Sequence, residues 1–341
     1  GDYSSATSGT SNLRLGVNAG NSITSGGNYN VVVGDEAGTA LTTGDDNVAI
    51  GFEALSTEDA HGDNVAIGHQ ALKTLNVGTE GENVAIGKGA GTSMTTGVQS
   101  VLIGKRSGDA LTDADRNTAV GYATLSGDTL GSKSTAVGYA ALFTQNFTTA
   151  TDTYNVAVGY EAGGAITTGD SNTLIGGLAG DALTTGTDNV AIGKDALTSD
   201  TLGSKTVAIG KNTLEAQNFT TATDANNVAI GDSAGQALTT GVNNTLIGAL
   251  AGDAITDADF NVAVGVNSLT SDTLGSKSVA VGMGALQTQN FTTATDSFNT
   301  AVGFNAGQEV TTGTNNTLVG GLTGDALTTG GRHTLMGYAS G

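Results

Sequence analysis

The stretch NVAIGKDALTSDTLGSKTVAIG, residues 189–210, says nearly the same thing twice: NVAIG, then TVAIG seventeen residues on. Runs of this kind end on a glycine at 19 points between Gly16 and Gly337. Most intervals are 17 residues, and an interval of 21 recurs after Gly138, Gly210 and Gly282. Three short intervals and one long one make a superperiod of 72, in which Gly87, Gly159, Gly231 and Gly303 are equivalent. A unit this short, repeated end to end, buries its apolar residues by stacking on its neighbours, so the pattern predicts a solenoid or fibre rather than a globular enzyme.

Each unit opens with a strand signal: Val, Ile and Thr bounded by Asn and Gly. Side chains alternate across a strand, so Val190 and Ile192 share one face and Ala191 takes the other. Both faces are apolar, which predicts burial on both sides. The expectation is that the Val/Ile face fills the coil. The Ala face, which carries Leu at Leu102, Leu174, Leu246 and Leu318, is then left to be covered by copies of the chain around a common axis. After the glycine come two kinds of unit, AGxALTTG as at 179–186 and AL as at 196–197, alternating two and two. LTTG suits a second short strand and turn. The predicted architecture is all-β: a parallel β-solenoid of about 19 coils over residues 1–341, one continuous repeat region with degenerate ends at 1–29 and 331–341.

An asparagine precedes most strands: Asn30, Asn47, Asn64, Asn83, Asn117, Asn155, Asn172, Asn189, Asn227, Asn244, Asn261, Asn299 and Asn316. Stacked coils would set these amides one above another as a structural ladder, paired amide to amide along the axis. Ser100, Ser134, Thr206 and Ser278 take the place elsewhere.

Composition agrees. Glycine supplies 54 residues and aromatics only 4%, with no Pro, Cys or Trp. A chain without Pro keeps its backbone N–H groups available for ladders, and one without Cys has no disulfide or thiolate chemistry. The formal charge of −20 argues against binding nucleic acid through its phosphates. No apolar run approaches the length of a membrane span.

Most chemical motifs fail on spacing. In GDTLGSKS, residues 127–134, Ser132 separates Gly131 from Lys133, so the phosphate-loop order is broken and a turn is the better reading. DADRN at 113–117 and DADFN at 257–261 open like calcium loops but lack the sixth-position Gly and twelfth-position Glu. Asp113, Asp115, Asp257 and Asp259 are therefore weak metal candidates beside a reading as solvated turn carboxylates. The three histidines, His61, His69 and His333, carry no nucleophile signature around them. No catalytic or cofactor-binding residue is assigned, and the chain is read as no enzyme. QNFTTATD fills each 21-residue interval and carries Phe147, Phe219 and Phe291. Either each Phe plugs a wider coil, or the loop offers a surface contact to a ligand.

Units such as NTAVGYATL (117–125), NVAVGYEAG (155–163) and NTLIGGLAG (172–180) resemble the repetitive shaft of phage tail fibre proteins that carry a C-terminal self-cleaving intramolecular chaperone. The resemblance covers residues 12–337. The unit is also similar to the heads of trimeric autotransporter adhesins, which use [SN]-V-A-I-G. Both imply a parallel homotrimer. The fibre resemblance implies an extracellular virion shaft joined to other fibre or baseplate proteins, reaching the host cell surface through a receptor-binding tip outside this segment. The alternative is a bacterial surface adhesin that contacts its target directly. A third reading, an ice-binding solenoid, rests on the LTTG threonines, but the AL units interrupt their array.

Overall fold

The computed structural model describes residues 9–341, and they form a parallel β-solenoid of about 19 turns with no helix. The described residues fall into two compact units, divided between Ser171 and Asn172. In the first, nine three-residue strands from Leu13–Leu15 to Val156–Val158 pair in parallel, each residue opposite its equivalent: Val48 on Val65, Ala49 on Ala66, Ile50 on Ile67. In the second, ten strands from Thr173–Ile175 to Thr334–Met336 do the same, with Ala191 opposite Ala208. Register is strict because each strand ends on a glycine packed against the next. Gly193 has φ +137°, and a Cβ there would sit 2.3 Å from the carbonyl oxygen of Gly210, so no side chain fits.

The expected facing of the strand is reversed. Its middle residue points into the coil: Ala49, Ala119, Ala191 and Ala263 are fully buried. The flanking Val and Ile lie on the outer face and are half-exposed, up to 37% at Ile175. The physical reason is volume. The interior is narrow, and a leucine from the turn already fills it.

That leucine explains the two kinds of unit. In an AL coil it is the fourth residue after the glycine, as Leu197 or Leu214, fully buried and held at φ 55° or 51°. Left-handed backbone costs a non-glycine residue about 1–2 kcal/mol, while burying a leucine returns roughly 1.5–3 kcal/mol. In an AG coil the same left-handed position is glycine, and the leucine comes three residues later, as Leu183. A Cβ on Gly180 would lie 2.9 Å from Leu183 Cδ1 and 2.8 Å from Leu174 Cδ2. Two AG coils in succession leave more room, and there the strand centre grows from Ala to Leu, at Leu102, Leu174, Leu246 and Leu318.

LTTG is a turn and not a second strand, although it still bonds to the next coil: Thr184 N donates to Thr201 O at 2.9 Å. The additional strands join each long interval to the 17-residue one before it, where Gly203–Ser204 pairs with Thr223–Asp224 and Gly275–Ser276 with Thr295–Asp296.

Candidate interaction face

The Asn column is built from side chain to backbone. Asn189 Oδ1 accepts from Thr206 N at 3.0 Å, and its Nδ2 donates to Gly203 O at 2.9 Å. Asn47 N bonds Asn30 Oδ1, Asn244 N bonds Asn227 Oδ1 and Asn261 N bonds Asn244 Oδ1, each at 2.9–3.0 Å. The amide-to-amide ladder is present only as a long secondary contact, as in Asn64 Nδ2 to Asn47 Oδ1 at 3.3 Å. Backbone N–H groups at coil spacing reach the amide oxygen first.

Where the coil is AL, the inward place taken by Leu183 in an AG coil becomes polar. Asp200 is fully buried and accepts from Gly203 N at 3.0 Å, Phe219 N at 3.3 Å and Gln217 Nε2 at 2.7 Å. Gln217 Oε1 in turn accepts from Asn227 Nδ2. Asp128 with Gln145 and Asp272 with Gln289 repeat the arrangement. Desolvation raises the Asp200 pKa against the pull of those donors. The earliest block substitutes Glu58 and Leu75. Glu58 is buried, accepts from the N–H groups of Asp59, His61 and Val77, and has a pKa raised by desolvation. His61 Nδ1 lies 3.7 Å from its carboxylate and has no hydrogen-bond partner. Glu58, Asp59 and His61 are the one group of three metal-ligand side chains drawn together among the described residues, and nothing in their sequence pattern had marked them.

The weak cation candidates have hydrogen-bond donors instead. Asp113 accepts from Thr96 Oγ1 and Asp115 from Val98 N, and Asp257 and Asp259 do the same with Thr240 and Val242. No third ligand joins either pair among the described residues. Phe147, Phe219 and Phe291 are buried, at 7%, 5% and 6% exposure, with their rings inside the long coils, while the loop residues beside them, such as Thr148 and Thr149, are exposed. Asp128, Asp200 and Asp272 hold the backbone N–H of each.

The candidate surface for a partner is the outer strand face. Within each unit the outward side chains form two columns, one coil above the next: Val interrupted by Thr, as at Thr118 and Thr245, and beside it Ile and Val. Two rims border them. One rim is the left-handed residue before each Asn or the Ser or Thr in its place, such as Glu82 (φ 51°), Gln99 (60°) and Arg116 (58°). These are bonded in series: Arg116 Nε to Gln99 Oε1 at 2.9 Å and Gln99 Nε2 to Glu82 Oε2 at 2.7 Å. Lys133 continues the rim, its pKa raised by hydrogen bonds to Asp152 and Tyr154. The other rim is the residue after the glycine. There Tyr122, Tyr139 and Tyr160 stack with centroids 5.3 Å apart and planes 9° from parallel, and Lys105 sits 5.7 Å over the first ring. The three rings are 43%, 48% and 54% exposed.

Compared with known proteins, the chain matches no family model, no curated protein and no solved structure.

Proposed function

We propose that this chain is the structural shaft of an extracellular homotrimeric fibre, of the kind phage tail fibres use to hold a receptor-binding tip away from the particle. Its work on this reading is mechanical, with no reaction catalysed. The observation that carries the proposal is the contrast between a satisfied interior and an unsatisfied face. The coil interior is filled and hydrogen-bonded within the chain, while the Val/Ile columns run along each unit with nothing over them. Aliphatic surface laid out in a long flat stripe is an association surface. Burying the exposed third or so of two aliphatic side chains in a coil is worth about 1–2 kcal/mol. Over the seven strands of the first unit that are aliphatic at both flanking positions, that offsets an association cost of about 4–15 kcal/mol. The repetition itself supports a spacer, because solenoid coils contact mainly their neighbours and length can change without redesign.

Light scattering on the purified chain tests this directly. The expected mass is three times the 33.4 kDa of one chain. A folded, monodisperse monomer at micromolar concentration overturns it.

A further inference from the structure

Resting on that reading, we infer that the two rims of the face pair with each other between neighbouring copies, so that the copies run parallel and in register. The argument comes from comparing the rims coil by coil. In one coil Asp63 stands on the first rim and His69 on the second; in the next, Glu82 and Lys88; then Gln99 and Lys105; then Arg116 and Tyr122; then Lys133 and Tyr139. Acid meets base in the first two pairs and amide meets lysine in the third; further along cation meets aromatic ring, with Lys133 also bound to Asp152 of its own chain. The members of each pair sit on opposite sides of a three-residue strand, and among the described residues Lys88 makes no ion pair in its own chain. Glu82 is held only by Gln99 from the coil beyond.

A cyclic arrangement about an axis along the coil brings the first rim of one copy against the second rim of the next, at equal height. Closure forbids a stagger of one coil, which would wind into an open filament. It also sets the aliphatic columns face to face. In the second unit the same comparison includes an acid–base pair, Asp188 with Lys194, and two apolar pairs, Phe260 with Val266 and Phe298 with Phe304, with Phe260, Val266 and Phe304 exposed at 53%, 45% and 51%. One coil sets like charges together, Lys205 and Lys211, and there Lys205 is paired with Asp224 of its own chain. The partner this surface fits is therefore a second copy of the chain in the same direction, chosen by its rims and held by its Val and Ile.

The chain has no cysteine, so disulfide trapping is clean. A chain carrying both Glu82→Cys and Lys88→Cys should oxidise to a covalent ring that runs at the oligomer's mass on a non-reducing gel. Each single variant alone should stay uncrosslinked. Self-crosslinking of Glu82→Cys alone overturns the parallel arrangement. As an independent check, Glu82→Lys should lower the assembled fraction at fixed concentration, and Glu82→Lys with Lys88→Glu should restore it; failure of the rescue overturns the pairing. Light scattering on the same samples separates the two proposals. Oligomers without the cross-link overturn the rim pairing and leave the fibre reading standing, whereas monomers remove both.

Discussion

Compare the middle residue of a strand with the two beside it. Ala191 is fully buried inside the coil, while Val190 and Ile192, one bond-step away on either side, face outward and remain half-exposed. The smaller side chain is the core residue and the larger ones are surface. The usual association of bulk with burial fails because the solenoid core is shared between strand and turn. A coil of 17 residues encloses room for little more than one leucine layer, and the turn supplies it, from Leu197 in one coil and from Leu183 in another. Two largely aliphatic columns are thus left on the outer face at no loss to the interior.

The sharpest way to break this comparison is to charge each side of it. Ala191→Glu buries an unpaired carboxylate in a space that holds a methyl group, and a cost of several kcal/mol is expected, enough to unfold the local coils. Ile192→Glu puts the same charge on the outer face. The single chain should keep its far-ultraviolet circular dichroism, and only its association should be lost. If Ile192→Glu unfolds the chain and Ala191→Glu merely dissociates it, the inward and outward faces have been exchanged.

Next in size are the leucines that make the strand centre small. Leu197→Ala should cost about 2–5 kcal/mol in denaturant unfolding, through lost burial and a cavity. Gly180→Leu should cost about 1–3 kcal/mol, because its side chain would run into Leu174 and Leu183. Combining Gly180→Leu with Leu183→Ala turns an AG coil into an AL coil and should recover much of the loss. A strictly additive double variant would show that the two coil types are not exchanging one volume.

Smaller again is the asparagine. Asn189→Ala removes an acceptor from Thr206 N and a donor to Gly203 O, both buried, and should cost about 1–2 kcal/mol per group left without a partner. The exposed Lys194→Ala should change the melting temperature little. Equal shifts from the two would mean that the column is ornamental.

The coil period, the strands and the Asn column were legible because each is a local regularity: three β-prone residues, a glycine with no room for a Cβ, a polar residue at one corner. The facing was not legible. Val-Ala-Ile is apolar on both sides, and nothing within the strand says which side is narrow; the answer lies in Leu183, 8 residues before Ala191, and Leu197, 6 residues after it. The same distance hid the buried acids. Asp200 reads as one more turn carboxylate until its place is matched with that of Leu183, which points inward. The rims could not be recognised before the outer face was known, since Glu82 and Lys88 are unremarkable charges until the strand between them is seen to face outward. Phe219 carried a choice between plug and contact that sequence leaves open, and its 5% exposure places it inside.

Those buried acids give the comparison its finest test, because inward and outward carboxylates should respond to pH in opposite senses. Asp200 is raised by desolvation, as is Glu58 in the earliest block. In the folded chain each holds its proton to a higher pH than in the unfolded chain, so between the two pKa values the folded state binds more protons. Stability from these groups is present below the ordinary carboxylate range and is lost as pH rises through the raised folded value. Asp152, on the surface, is lowered chiefly by its hydrogen bond to Lys133, and its contribution runs the other way: present above the ordinary range and lost on acidification. Being fully exposed, it is largely screened. The net expectation is a melting temperature that declines as pH is raised from the ordinary carboxylate range toward neutrality. Asp200→Asn keeps an oxygen that can accept from Gly203 N and Phe219 N but removes the ionisation, so its decline over the same interval should be shallower than that of the parent chain. Parallel curves for the two proteins would mean that Asp200 holds its charge inside the coil without penalty, and that the donors from Gly203, Phe219 and Gln217 fully replace the water it has lost.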